Sequence, residues 1–145
     1  MTPDQIFSLA NTTALVTWLA LVLGQRRRLV VHMIAGRVVP ALFALAYVVI
    51  VAAVFPRASG GFSSLSGVAD LFSDRWLLLA GWLHYLAFDL LVGTWEAVDA
   101  HERGVHVLLV APCLFVTFLF GPAGWLLYQI VRISAPVRAA AAPSL

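Results

Sequence analysis

One run in this 145-residue chain places ionisable side chains inside an apolar stretch: Gly81-Trp82-Leu83-His84-Tyr85-Leu86-Ala87-Phe88-Asp89, followed by Gly93, Trp95, Glu96 and Asp99. With His84 set at zero and about 100° per residue, Asp99 falls near 60°, Tyr85 near 100°, Glu96 near 120° and Asp89 near 140°. On one continuous helix they share less than half the circumference. Measured from Arg75 at ~1.5 Å per residue, His84 lies ~13 Å along and Asp89 ~21 Å. An ionised aspartate near the centre of a membrane span costs about 2.5–3.5 kcal/mol on insertion scales, so this face is expected to turn toward a protein interior. A neutral carboxylic acid beside a histidine and a tyrosine is equipment for proton transfer. His84 and Asp89 are therefore the expected catalytic pair, with Asn11, Tyr85, Glu96 and Asp99 as substrate-binding groups. The competing reading makes His84 and Asp89 interhelical ties, and Glu96 and Asp99 solvated groups at a membrane boundary.

No metal is expected, since Glu96 and Asp99 with His101, Glu102 and His106 match no standard ligand spacing. The single cysteine, Cys113, excludes an internal disulfide and any cysteine-based cluster. Four histidines are too few for a multi-histidine di-iron oxygenase. No cofactor is expected for acid–base chemistry of this kind.

Such a face needs a scaffold, and composition says which. Hydrophobic residues make up 62% and charged residues 11%, against about 25% charged in an average soluble domain. A soluble monomer of this size cannot bury so much apolar surface, which excludes a soluble enzyme and a disordered chain. The nine cations are all arginine, and a net charge of +2 is too small to suggest nucleic acid. The partner implied is the lipid bilayer.

Four stretches are long enough to cross it as helices: Gln5 to Leu23, Val38 to Phe55, Arg75 or Trp76 to Val92 or as far as Asp99, and Val105 to Val131. Leu29 to Gly36 reads as a possible earlier turn along the interface. Pro112 and Gly121-Pro122 predict a kink in the fourth span. The fold class expected is all-α, an integral membrane four-helix bundle of residues 1–132 with a flexible tail at 133–145. Between the second and third spans, Leu65, Val68, Ala69 and Phe72 recur at helical spacing behind Ser63 or Ser64 as cap, predicting a short interfacial amphipathic helix. No positively charged segment precedes the first span, so no cleavable signal is expected. Four arginines and no acid between Gln25 and Arg37 put the Arg26–Arg28 connection in the cytoplasm and both termini outside. Arg132 and Arg138 oppose that orientation.

Helix packing in lipid relies on small residues and buried hydrogen bonds. Cys113, Thr117, Gly121 and Gly124 share a face of the fourth span and read as a packing seam leading to Tyr128. Ser8, Asn11 and Thr12 share a face of the first and suit interhelical bonding. Trp76, Trp95 and Trp125 suit interface anchors.

The segments Phe7-Ser8-Leu9-Ala10-Asn11, Gly61-Phe62-Ser63-Ser64-Leu65, Gly81 to Leu90 and Thr117-Phe118-Leu119-Phe120-Gly121-Pro122 resemble the abscisic-acid-deficient-four family, from Phe7 to Arg132. The family is named for a plant neoxanthin synthase, a plastid membrane protein of carotenoid metabolism, and has many bacterial members without an assigned function. A proline expected just before Trp18 and another expected after the first span are replaced here by Val16-Thr17 and Gln25. Arginine-only, alanine-rich usage points to a bacterial member, hence the bacterial inner membrane. The resemblance implies a cofactor-independent carotenoid or isoprenoid isomerase, with that lipid as ligand and other membrane enzymes as partners. The alternatives are a non-catalytic pigment-binding, lipid-binding or scaffolding module and, third, a small proton-linked carrier.

Overall fold

Helix α4, Arg75–Arg103, is the post on which the other helices lean. Asp74 starts it by accepting from the N–H groups of Trp76 at 2.8 Å and Leu77 at 3.1 Å, as its place before the apolar run predicts. Gly104 ends it at φ 69°, a left-handed conformation that glycine adopts without steric cost. In this computed structural model, which describes residues 1–134, all regular structure is helical. Asp89 is the middle residue of α4, 14 residues from either end.

Helix α1, Pro3–Leu23, runs alongside α4 in the same direction. Thr2 and Gln5 form a reciprocal capping box at its start, and it ends at Leu23, as the expected first span does. The Trp18 ring lies against Gly93, where any Cβ would collide with it. Helix α2, Leu29–Arg57, runs the opposite way, bringing Gly36 to Thr94 and Tyr47 to His84. It begins nine residues before the expected Val38. The segment Leu29–Val38 is π-wound and leads straight into the α-helical Val39–Val54. It is no interfacial turn, because Val31 and Ala35 are buried and Gly36 meets Thr94 of α4. The change of winding falls just before Pro40, which has no N–H to continue the ladder. Helices α1, α2 and α4 are each long and apolar enough to cross a membrane, consistent with an integral membrane protein.

Helix α3, Leu65–Ser73, is the expected short helix, with Ser64 accepting from the Gly67 N–H at 3.1 Å. Its inward residue differs from the pattern. Leu71 is buried, whereas Leu65 is 87% exposed. Phe72 packs on Gly81 of α4, so contact with α4 sets the rotation of the helix.

The fourth span does not form. In its place are α5, Val107–Phe120, and α6, Pro122–Ser134, folded back on one another. At φ 42° and ψ −97° Gly121 turns the chain, and the Trp125 N–H returns to its carbonyl at 3.2 Å. Gly124 then packs on the Thr117 backbone. At ~1.5 Å per residue each arm is ~20 Å long, too short for a bilayer core of ~30 Å. The tip lies beside Asp89 and the return arm ends beside Asp99, where Arg132 bonds the carboxylate. The architecture is thus three long helices and a hairpin, not four spans. Within the expected seam Gly124 of α6 packs on Thr117 of α5, while Gly121 meets Asp89 of α4. Trp125, whose neighbours include Phe88, Leu91 and Trp95, sits at mid-height of α4 and not at its end. The expected tail begins inside α6; residues 135–145, with Arg138, lie outside the described residues.

Candidate functional site

Asp89 stands five positions after His84, about 140° around the helix, and α4 uses that angle to present them to different neighbours. His84 is exposed on the flank toward α2. Its ring stacks on Phe88, 4.5 Å between centroids, and tilts against Tyr47 at 5.6 Å. Among the described residues it is the only ionisable group besides Tyr47 lining a groove of about 410 Å³ between α2, α3 and α4. Phe55, Phe62, Phe72 and Leu77 supply much of the apolar wall. A groove of this kind accepts an apolar body and offers an imidazole and a phenol to one polar point on it. Tyr47 was missed from sequence, although it is the one hydroxyl-bearing residue between Val39 and Val54.

Asp89 faces the hairpin instead. It is 8% exposed, and its Oδ2 is buried with no hydrogen-bond partner. A Cβ on Gly121 would lie 2.8 Å from its Oδ1, so the carboxyl is packed into the space that glycine leaves. Tyr85 lies on the same side and donates its hydroxyl to the Leu119 carbonyl at 3.3 Å, two residues before Gly121 at the tip.

Glu96 is fully buried, with the Thr117 hydroxyl 3.0 Å and 3.1 Å from its two oxygens. Asp99 accepts from Tyr128 at 2.7 Å, Arg103 at 2.8 Å and Arg132 at 2.9 Å. Asp99 is therefore an ion-paired clamp on α6, and neither carboxyl is simply solvated. Arg132 also lies 5.7 Å over the Trp95 ring, which stands perpendicular to the Tyr128 ring. Trp95 is thereby part of the clamp.

Asn11 is engaged on another side of α4, accepting from the Trp82 indole N–H at 2.8 Å. Its expected companions do not cross helices: Thr12 bonds back to Ser8 at 2.9 Å, and both are exposed. Of the six residues singled out from sequence, Tyr85, Asp89, Glu96 and Asp99 meet the hairpin, Asn11 of α1 meets Trp82 of α4, and His84 alone enters the groove. The expected convergence of His84 and Asp89 on one interior is corrected. Neighbouring helices divide the arc between them, and its first edge is the open flank. Among the described residues no group of three or more histidine, cysteine, aspartate or glutamate side chains is placed to hold a metal. Cys113 is buried, with its thiol 3.3 Å from the Leu109 carbonyl.

The geometry thus contains an open apolar groove with a histidine and, on the other flank, a row of carboxyls holding a hairpin. No curated protein and no solved structure matches the chain. The model of one family, described as ABA DEFICIENT 4-like, matches residues 5–128, and the chain belongs to that family.

Proposed function

We propose that this chain binds a carotenoid or related isoprenoid in the groove between α2, α3 and α4 and isomerises it by moving one proton. The observation that carries the reading is His84, exposed in an apolar groove beside Tyr47. Opening an epoxide to an allene alcohol breaks one C–O bond and removes a C–H proton, and the oxygen gains a proton. Nothing is oxidised or reduced, and the net event is transfer from carbon to oxygen. A single imidazole suffices, accepting at carbon and delivering at oxygen, while the Tyr47 hydroxyl donates to the oxygen as charge develops. Two opposed acid and base groups are then unnecessary. Asp89 in this reading is a positioning group that holds the hairpin tip, and Tyr85, Glu96 and Asp99 hold its arms.

A second reading, a module that holds the lipid without changing it, is favoured by the separation of His84 from Asp89. Mass spectrometry of lipids co-purified with the protein, before and after incubation with an epoxy-carotenoid, separates the two. The enzyme reading expects product with the native chain, and retained substrate without product for His84→Gln. Ligand retained unchanged by the native chain leaves the holding reading. No isoprenoid at all overturns both.

A further inference from the structure

At the end of the bundle where α4 stops, a cavity of about 350 Å³ opens between the α1–α2 connection, the last turns of α4 and the start of α5. Gln25, Arg26, His101 and His106 form its polar wall. Ala97, Ala100 and Val110, all buried, are apolar lining. An adjoining hollow of about 220 Å³ shares Gln25, Arg26 and His101, and adds Arg28, His32 and Glu102. Among the described residues Glu102 is the one acid in either lining.

Arg26 has no carboxylate partner among the described residues, where the ion pairs are Asp4 with Arg75 and Asp99 with Arg103 and Arg132. His106 accepts the Leu108 N–H on its Nδ1 at 3.3 Å, which leaves its Nε2 carrying a proton to donate. That residue also caps α5, whose 14 residues set the positive end of a helix dipole beside the cavity. Gln25 is 8% exposed and spends one amide N–H on the Val22 carbonyl at 3.0 Å, leaving a second. Donors and positive charge from three segments therefore meet over an apolar lining. Lysine-free, buried-edge cavities of this composition suit a tetrahedral oxyanion attached to something greasy.

We propose that this cavity binds the phosphate of an anionic phospholipid, with Arg26 as the charged partner, Gln25, His101 and His106 as further donors, and the apolar lining under the glycerol and first methylenes. Inorganic phosphate shares the headgroup chemistry, but it has no use for the apolar lining.

The test is a thermal-shift titration of the full chain in neutral detergent with phosphatidylglycerol, phosphatidylcholine and inorganic phosphate. Phosphatidylglycerol is expected to raise the midpoint saturably and phosphatidylcholine to leave it unchanged. Arg26→Gln is expected to weaken the apparent Kd about tenfold, the size of one charge-assisted hydrogen bond. His101→Gln tests the same site through a second residue, should Arg26→Gln disturb the fold. Arg27→Gln removes the same charge from a residue outside both linings, and is expected to bind like the native chain. A shift from inorganic phosphate with the same dependence on Arg26 and His101 supports the phosphate site and assigns its source to solution. No saturable shift with either probe overturns the proposal, as does equal weakening by Arg27→Gln or no weakening by both cavity variants.

Discussion

At Gly121 two independent demands fall on one residue. Its backbone occupies a conformation that L side chains rarely adopt, and the room above its Cα is filled by the Asp89 carboxyl. Gly121→Ala is expected to destabilise the protein by about 1–3 kcal/mol through strain alone, with the collision adding to it. In an Asp89→Ala background the same change should cost about 1 kcal/mol less, because only the collision is relieved. Thermal denaturation of the four chains in detergent checks this. Equal costs in both backgrounds would show that carboxyl and glycine do not touch. Thr117 and Glu96 give a second pair. Thr117→Val leaves a buried carboxyl without a donor and should cost about 1–3 kcal/mol, whereas Thr117→Ser should keep most of the stability. Loss in Thr117→Ser with none in Thr117→Val would place the effect in the methyl, which only serine lacks, and not in the hydroxyl.

At the scale of elements, the hairpin is held to α4 by a ladder of polar contacts: Tyr85 near the tip, Glu96 along α5, and Asp99 under the return arm. In lipid this is what packing needs, since apolar surfaces gain little from one another there. The clamp at Asp99 is largely shielded, with 14% of its side chain exposed, and binds α6 through both Tyr128 and Arg132. Asp99→Asn should weaken it by about 1–3 kcal/mol, and the loss should be local. Hydrogen exchange is expected to speed up in Pro122–Ser134 while α1 and α2 keep their protection. Uniform acceleration would mean that the hairpin and the long helices unfold together.

For the whole molecule, the hairpin bears on the expectation about the ends. The start of α1 lies by Arg75 and the end of α6 by Asp99, at opposite ends of α4, so three crossings are expected to leave them on opposite sides of a membrane. Arg26, Arg28, His101 and Arg132 then gather at one end, while Asp4, Arg57 and Arg75 lie toward the other. Arg132, which opposed the orientation expected for four spans, now agrees with the Arg26–Arg28 connection under the positive-inside rule. Cysteine labelling in sealed vesicles tests the arrangement in a Cys113→Ala background. Ser134→Cys is expected to react from the same side as Arg27→Cys, and Ser59→Cys from the opposite side. Ser134→Cys reacting with Ser59→Cys would restore a fourth crossing.

Much of this was legible without coordinates. Apolar length marked the three long helices, although the second starts nine residues before the expected Val38, and the α4 wheel placed Tyr85, Glu96 and Asp89 on one flank. These are local properties, fixed by bond geometry and by which groups hydrocarbon tolerates. What the chain alone could not decide was the partner of each face. A glycine and a proline at 121 and 122 suit a kink as well as a reversal, and only the fit of Gly124 on Thr117 and of Arg132 on Asp99 selects the reversal. Likewise a wheel reports angles but not where neighbouring helices stand. His84 and Asp89 fall on one arc in sequence, and the placement of α2 and the hairpin divides that arc, because rotation about α4 is settled by packing between elements far apart in the chain.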